Sequence, residues 1–369
     1  MIKSRKLIIR ILRALWIIVL IHNEFFIFWK YANNLSTQLD KDDKNILLIA
    51  DPQMTDDLSY DRPWLILKLS EFYSELYMKR NYRHLVNSIN PYQIFIMGDL
   101  MDNGREWDDV FFEKEVKRFN KIFYSQNINY MVGNHDIGFG DGIKPHIQRR
   151  FHKYFGQASY VVHQEGYTFF VLDTVSLSSH NPQIGNSALS MLKNYNHTNT
   201  ILFTHVPLYR EPNLSCGPLR QQSHSQSIKD AYGYQYQNML SKELSEHILN
   251  TVKPILIFSA DDHDYCEITH NNLIKEITVP TFSMAQGVKY PGLMVLSIND
   301  KSLYTRLYWL PSQIDLFIQY AYLLVFTLAI LLFFEYFQSK AIRYRNDHEL
   351  PKTKPIEKNH QHKYLILHV

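Results

Sequence analysis

The stretch YMVGNHD, from Tyr130 to Asp136, decides how the chain is read. A short apolar run stops at Gly133 and then presents an amide, an imidazole and a carboxylate on consecutive residues. Burying such groups costs on the order of a few kcal/mol each unless each has a partner. The turn therefore needs something to bind, and a divalent metal together with a phosphate meets that need.

Outward from this turn, four more apolar runs end in the same manner. ILLIA (46–50) is followed by Asp51, Pro52 and Gln53, and QIFIM (93–97) by Gly98, Asp99 and, three residues on, Asp102. TILFT (200–204) is followed by His205, and ILIFS (255–259) by Ala260, Asp261, Asp262, His263 and Asp264. Short apolar runs bounded by turn residues read as buried strands, and in open α/β sheets the ligand crevice lies beyond the carboxyl ends of the strands. Taken singly, each ending is more often a turn, a loop start or a satisfied loop histidine than a site. Five in one role and one order carry far more weight.

Leu65, Leu69, Phe72 and Leu76 fall on one helical face after the start signal Asp61-Arg62-Pro63. Trp107, Phe111, Val116 and Phe119 suggest a second helix, and Tyr236 to Leu249 a third. YTFFVL (167–172) adds a strand, and 273–284, 292–298 and 302–310 read as consecutive strands. The fold class is α/β, with two packed sheets and helices outside them.

Composition sets the outer bounds. The 369 residues, 46% hydrophobic and 20% charged, suit a globular chain with ample core. The net charge of +3 comes largely from the two ends, so no nucleic-acid surface is inferred. Two cysteines, Cys216 and Cys266, exclude a thiolate zinc site of the structural kind and leave room for one disulfide.

The ends point to a membrane. Lys3, Arg5, Lys6, Arg10 and Arg13 precede ALWIIVLI (14–21), the polar break His22-Asn23-Glu24, and FFIFW ending at Trp29. Leu7 to Trp29 is long enough to span, although Arg10, Arg13 and Glu24 weaken it. No small-residue cleavage site follows, which favours an uncleaved anchor. Glu24 would then sit towards the far membrane face or against a protein partner. Leu316 to Phe334 is apolar all round apart from Gln319 and Thr327, a stronger span, and Lys340, Arg343 and Arg345 follow it. The positive-inside rule places both termini in the cytosol. The expected division is a basic end and anchor at 1–30, a lumenal domain at 31–313, a transmembrane helix at 314–337 and a cytosolic tail at 338–369, of which the last 25 residues read as polar and disordered. Three glycosylation triplets, at Asn34, Asn196 and Asn213, fall in the lumenal part.

The order of strand-end motifs resembles that of the calcineurin-like metallophosphoesterases, with GDLMD and GNHD as the specific matches, over roughly residues 46–298. ADPQ (50–53), GDLMDNGR (98–105), THVPLYR (204–210), CGPLR (216–220) and DDHDYCE (261–267), with a span at each end, look like the branch that trims ethanolamine phosphate from GPI-anchor mannoses in the ER or early Golgi. DDHDYC is most similar to its fungal division-cycle members. The resemblance implies two divalent cations. Asp51, Gln53, Asp99 and His263 would hold one, and Asp99, Asn134, His205 and Asp261 the other, with Asp99 bridging. A bridging carboxylate keeps two cations about 3.5–4 Å apart. His135 would protonate the departing sugar oxygen, with Asp102 orienting its ring.

The departures are Gln53 and Asp261 where most of the superfamily has histidine, and Ala260 where it has glycine. Two imidazoles have become oxygen donors, which favours Mn²⁺ over zinc. Asp262 or Asp264 could stand in for Asp261, which leads on spacing. Arg105, Arg210 and Arg220 sit just beyond metal-bearing loops, and any of them could clamp a phosphate or be an ordinary surface arginine. Cys216 and Cys266 could pair in a lumen, closing a loop of about fifty residues worth roughly 4 kcal/mol, or remain two buried thiols. The expected partners are the GPI-anchor glycan, with GPI-anchored proteins as substrate, and the lipid bilayer. The alternatives are another phosphoester, such as a nucleotide or phospholipid headgroup, and a non-catalytic binding protein. The last would be expected to have lost His135 or Asp99, and both are present.

Overall fold

Within ILLIA the side chains alternate between two faces, as a strand requires, and both faces are apolar because both are covered. Ile46 and Leu48 join a core between two sheets, whereas Leu47 and Ile49 join a larger core against the helices. The structure is a computed structural model and describes residues 2–222, 226–299 and 302–348.

Strands β1 (Lys44–Ile49), β2 (Gln93–Met97) and β3 (Ile128–Met131) run parallel to one another. The chain crosses to a second sheet with β4 (Tyr160–Gln164), β5 (Tyr167–Val171) and β6 (Thr200–Phe203), then makes a small hairpin, β7 (Tyr232–Gly233) and β8 (Tyr236–Gln237). Strands β9 (Leu256–Ser259), β10 (Cys266–His270) and β11 (Ile274–Thr278) complete that sheet, and β12 (Gly292–Ile298) and β13 (Leu303–Trp309) return to the first. The sheet orders are β13-β12-β1-β2-β3 and β10-β11-β9-β6-β5-β4. All five motif-bearing strands are internally parallel within their sheets, so each sheet delivers its polar strand ends to one edge.

The sheets are welded by aromatic contact. Phe95 of β2 stacks on Phe203 of β6 at 4.7 Å between ring centroids, and meets Phe169 of β5 edge-on at 5.8 Å.

The helices partly follow expectation. Asp109–Asn120 buries Phe112, Val116 and Phe119, capped by the Asp108 side chain on Phe111 N. The third helix begins later than its pattern suggests, at Lys242–Val252 with Ser241 as cap, because Tyr232–Gln237 pairs as a hairpin instead. Strands β4 and β10 and helices Pro145–Phe155 and Pro182–Lys193 go unread in the sequence. The largest correction concerns Trp64–Ile89. Its buried face carries Leu67, Tyr77, Met78, Tyr82 and Leu85, while Leu65, Leu69 and Phe72, the stripe expected to face the core, are exposed.

Two helices, Ser4–Ser36 and Gln313–Arg345, are long and apolar enough to cross a membrane. Only 17% and 6% of their most apolar windows are buried, unlike core helices of a soluble protein. The first continues past the expected boundary at residue 30, through a π-helical turn at His22–Phe26 to Ser36, which puts Asn34 on a helix. Glu24 finds a protein partner, pairing with Arg80. The second continues to His348, so the tail expected from 338 begins as helix, and residues 349–369 lie outside the described residues.

By contacts the described residues form two units, one within 19–317 and one that pairs 2–18 with 318–348. In the latter, Trp16 stacks on Tyr320 and donates to Thr327 Oγ1 at 3.0 Å, and Arg5 pairs with Glu335 at 2.7 Å.

Phe95→Ala should destabilise the detergent-solubilised protein by about 3–5 kcal/mol, read from its denaturant midpoint. Val110→Ala, at a position exposed on its helix, should leave the midpoint nearly unchanged.

Candidate metal centre

Three of the five strand ends, those of β1, β2 and β9, supply their polar residues from a strained backbone. Asp51, Gln53, Asp99, Asp261 and His263 all have positive φ, from 34° to 66°. Such left-handed conformations cost on the order of 1–3 kcal/mol each and persist only where their surroundings impose them. Five in one set of loops mark a site.

The loops converge closely. His205 Nε2 lies 3.2 Å from Asp99 Oδ1 and 3.6 Å from Asp261 Oδ1, and Nδ1 lies 3.9 Å from Asp51 Oδ1. Asn134 Oδ1 is 3.2 Å from His205 Nε2, and Gln53 Nε2 donates to Asp99 Oδ2 at 2.8 Å. Asp51, Asp99 and His205 offer ligand atoms all within 4.8 Å of one another. His263 lies close enough for the charges of Asp99, His135, His205 and Asp102 to act on it.

Two glycines make this approach possible. A Cβ on Gly98, whose φ is +91°, would sit 2.4 Å from His205 Nδ1, and one on Gly133 would sit 2.0 Å from Asp99 Oδ1. Ala260 is accommodated because the left-handed residue of its turn is the next one, Asp261 at φ 66°.

The electrostatics ask for cations. Burial pushes Asp261 up to about 7 and raises Asp51 well above its usual range, in each case against the pull of His205. Burial would also raise Asp99, but the His205 and His135 charges hold it below the usual range. Burial lowers His263 to about 4, leaving it neutral and able to donate a lone pair. Buried carboxylates in excess of cationic side chains, with neutral imidazole and amide oxygens beside them, are a donor set that divalent metal fits.

The other two aspartates of DDHD are engaged away from the cluster. Asp262 is engaged by both terminal nitrogens of Arg220, at 2.5 and 3.2 Å. Asp264 accepts from the backbone nitrogens of Gln221 and Gln222, each at 2.8 Å. Only Asp261 lies against His205, its own N–H donating to Asp51 at 3.1 Å.

Beside the cluster, His135 sits with Nδ1 2.5 Å from the Asp102 carbonyl oxygen and 3.3 Å from Asp102 Oδ1, leaving Nε2 as its other ring nitrogen. Burial opposes the imidazolium, but the Asp99 and Asp102 carboxylates more than offset it and push His135 up to about 9. Asp136 is structural rather than ligating. Its carboxylate accepts from Gly133, Leu100 and Met101 N–H groups and ties the GNHD turn to the GDLM loop.

Two of the three arginines are already engaged by carboxylates. Arg210 is fully buried on Glu276 at 2.7 Å and Arg220 is held by Asp262, so neither is a free phosphate clamp. Arg105 donates to the Asn134 carbonyl at 3.0 Å and braces the turn from behind. Cys216 and Cys266 form a disulfide that pins the 216–222 loop to β10. Asn196 and Asn213 are exposed.

One contributor had no signal in the sequence. Gln235, in the β7–β8 hairpin, accepts the Asn134 amide N–H on its backbone carbonyl at 3.2 Å. Its side chain accepts from Phe139 N at 2.8 Å and donates to Gly142 O at 3.0 Å. This contact turns the Asn134 oxygen towards the cluster, and a separation of 101 residues hides it from pattern reading.

A sequence profile for calcineurin-like phosphoesterases matches residues 44–265. The chain belongs to that family. Among curated relatives, cell division control protein 1 of Saccharomyces cerevisiae is 33% identical, covering 79% of this chain and 65% of its own length. A metallophosphoesterase 1 homolog of Caenorhabditis elegans is 28% identical over 61% of this chain and 64% of its own. Metallophosphoesterase 1 of Gallus gallus is 25% identical over 68% and 70%. The chain thus spans slightly less than two thirds of the first two. Its two-sheet architecture and buried metal-ligand cluster are those of a calcineurin-like phosphoesterase.

Two outcomes are expected. The His135 imidazolium is present at neutral pH and lost as pH rises through its raised value. Asp102→Asn, which removes one raising charge, should therefore move the alkaline limb of kcat/KM to lower pH. Gln235→Ala keeps the backbone carbonyl that Asn134 uses but removes the side-chain bonds to Phe139 and Gly142 that position it, and should weaken divalent-metal affinity by about tenfold in a calorimetric titration, with the circular dichroism spectrum unchanged.

Proposed function

We propose that this protein is a membrane-bound, manganese-dependent phosphodiesterase that removes ethanolamine phosphate from a mannose of the GPI-anchor glycan. The observation that carries the reading is the convergence of Asp51, Asp99, Asn134, His205 and Asp261 beside the independently held His135. Family membership and the relatives named metallophosphoesterase support ester hydrolysis. The oxygen-rich donor set, with His205 and His263 as its imidazoles, supports manganese.

Asp51, Gln53, Asp99 and His263 would hold one cation, and Asp99, Asn134, His205 and Asp261 the other. Two such cations supply Lewis-acid polarisation of the phosphoryl group and a water acidic enough to attack near neutral pH. His135, its Nδ1 turned to Asp102, delivers a proton from Nε2 to the mannose oxygen as the P–O bond breaks. The products are ethanolamine phosphate and a free sugar hydroxyl. Asp102 holds the ring and favours the imidazolium.

The disulfide supports placement of residues 31–313 in an oxidising lumen of the ER or early Golgi, with both termini cytosolic. Exposed Asn196 and Asn213 are compatible with glycosylation there.

Purified protein supplied with Mn²⁺ should release ethanolamine phosphate from a GPI glycan. Metal-loaded protein that cleaves a chromogenic diester but leaves the glycan intact would reassign the substrate. His135→Ala should lower turnover by about 10²–10⁴ while metal content stays unchanged, and retained turnover would remove His135 from the acid role.

A further inference from the structure

Helix Trp64–Ile89 has two apolar faces, and among the described residues only one of them is covered. The inner face, with Leu67, Tyr77, Met78, Tyr82 and Leu85, is buried on the core. On the opposite side Leu65 is 62%, Leu69 47% and Phe72 57% exposed, led by Trp64 at 71%. A helix apolar on both sides needs a second apolar environment, and an amphipathic stripe headed by tryptophan suits a bilayer interface.

The same helix carries the roots of both candidate spans. Tyr73 meets the ring of Phe317 edge-on at 5.3 Å, and Phe317 leads directly in sequence into the apolar run that ends at Phe334. One turn further along, Tyr77 meets Phe28 at 6.0 Å and Arg80 pairs with Glu24, on the segment that follows the N-terminal apolar run. The exposed stripe therefore begins beside Tyr73 and extends about 13 Å towards Trp64, at 1.5 Å per residue. A groove of about 510 Å³ between Ile66, Leu69, Tyr73 and Phe317 joins it to the start of the C-terminal span.

We infer that the Trp64–Phe72 half of this helix rests in the lipid interface as a third point of membrane contact beside the two spans. The occupant is the bilayer because the apolar surface is continuous with Phe317, where the chain passes into its most apolar segment. The loop that opens the helix connects this contact to the site. Asp56 accepts from Asn103, the residue after Asp102, at 3.1 Å, and Tyr60 donates to the Ala285 carbonyl at 3.0 Å. The lipid contact at the stripe is thereby linked through these bonds to the loop that carries Asp102. The inference rests on reading the two terminal helices as spans.

The test uses full-length protein in nanodiscs with and without brominated lipid, comparing wild type with Trp64→Phe. Quenching of the wild-type emission component that Trp64→Phe removes is the expected result. Leu65→Ser/Leu69→Ser/Phe72→Ser should lose most of that quenching and keep its turnover of soluble bis(p-nitrophenyl) phosphate. If Trp16 in the N-terminal span is quenched and Trp64 is not, the spans stand and the third contact is overturned. If no tryptophan is quenched, the membrane reading itself fails. A nanodisc dimer that the triple variant converts to monomer would assign the stripe to a second copy of the chain and also overturn the inference.

Discussion

Asp51, Asp99 and Asp261 crowd a single buried imidazole, His205, within a few ångströms. Holding like charges together away from water is unfavourable, and much of the surrounding structure serves to impose it. Parallel strands from both sheets aim their carboxyl ends at one edge, the Phe95–Phe203 stack fixes one sheet against the other, and two glycines let backbone and side chain come within contact. The positive φ values at five of the seven expected ligands are the local cost of that convergence. Cations relieve it, so folding and metal binding act on the same free energy.

Around this cluster, the neighbouring polar residues divide into those that can act on a ligand and those that hold the frame. Asp136, Arg105 and Gln235 all engage the GNHD turn, through its backbone, its carbonyl and its amide, and leave Asn134 and His135 facing the site. On the far loops, Arg220 with Asp262 and the Cys216–Cys266 disulfide fasten one wall. Arg210 and Glu276 form a buried ion pair behind it, with His270, Ser259 and the Leu208 N–H also bonded to Glu276. Removing one member of such a group leaves the others unpaired in a dry interior, so these residues matter to the site without touching it.

The strands and the metal-bearing residues were legible because each obeys a short-range rule. An apolar run of four or five residues bounded by turn residues reads as a buried strand, and a buried polar residue at its end needs a bond or a ligand. Misreadings arose where partners lie far along the chain. Leu65, Leu69, Phe72 and Leu76 have the spacing of a core face, but spacing alone cannot say which of two apolar faces the sheet will cover. Arg210 and Arg220 have the right chemistry to grip phosphate, but Glu276 and Asp262, 66 and 42 residues away, hold them.

The order of strand-end residues, the two apolar ends and the chemical types of the donors were set by the sequence alone, because covalent order and side-chain chemistry do not depend on packing. Which aspartate of DDHD enters the cluster, which arginines are already paired, what orients the Asn134 amide and which face of Trp64–Ile89 stays open were decided only in three dimensions. Each is a choice among chemically equivalent groups, and only the positions of distant neighbours distinguish them.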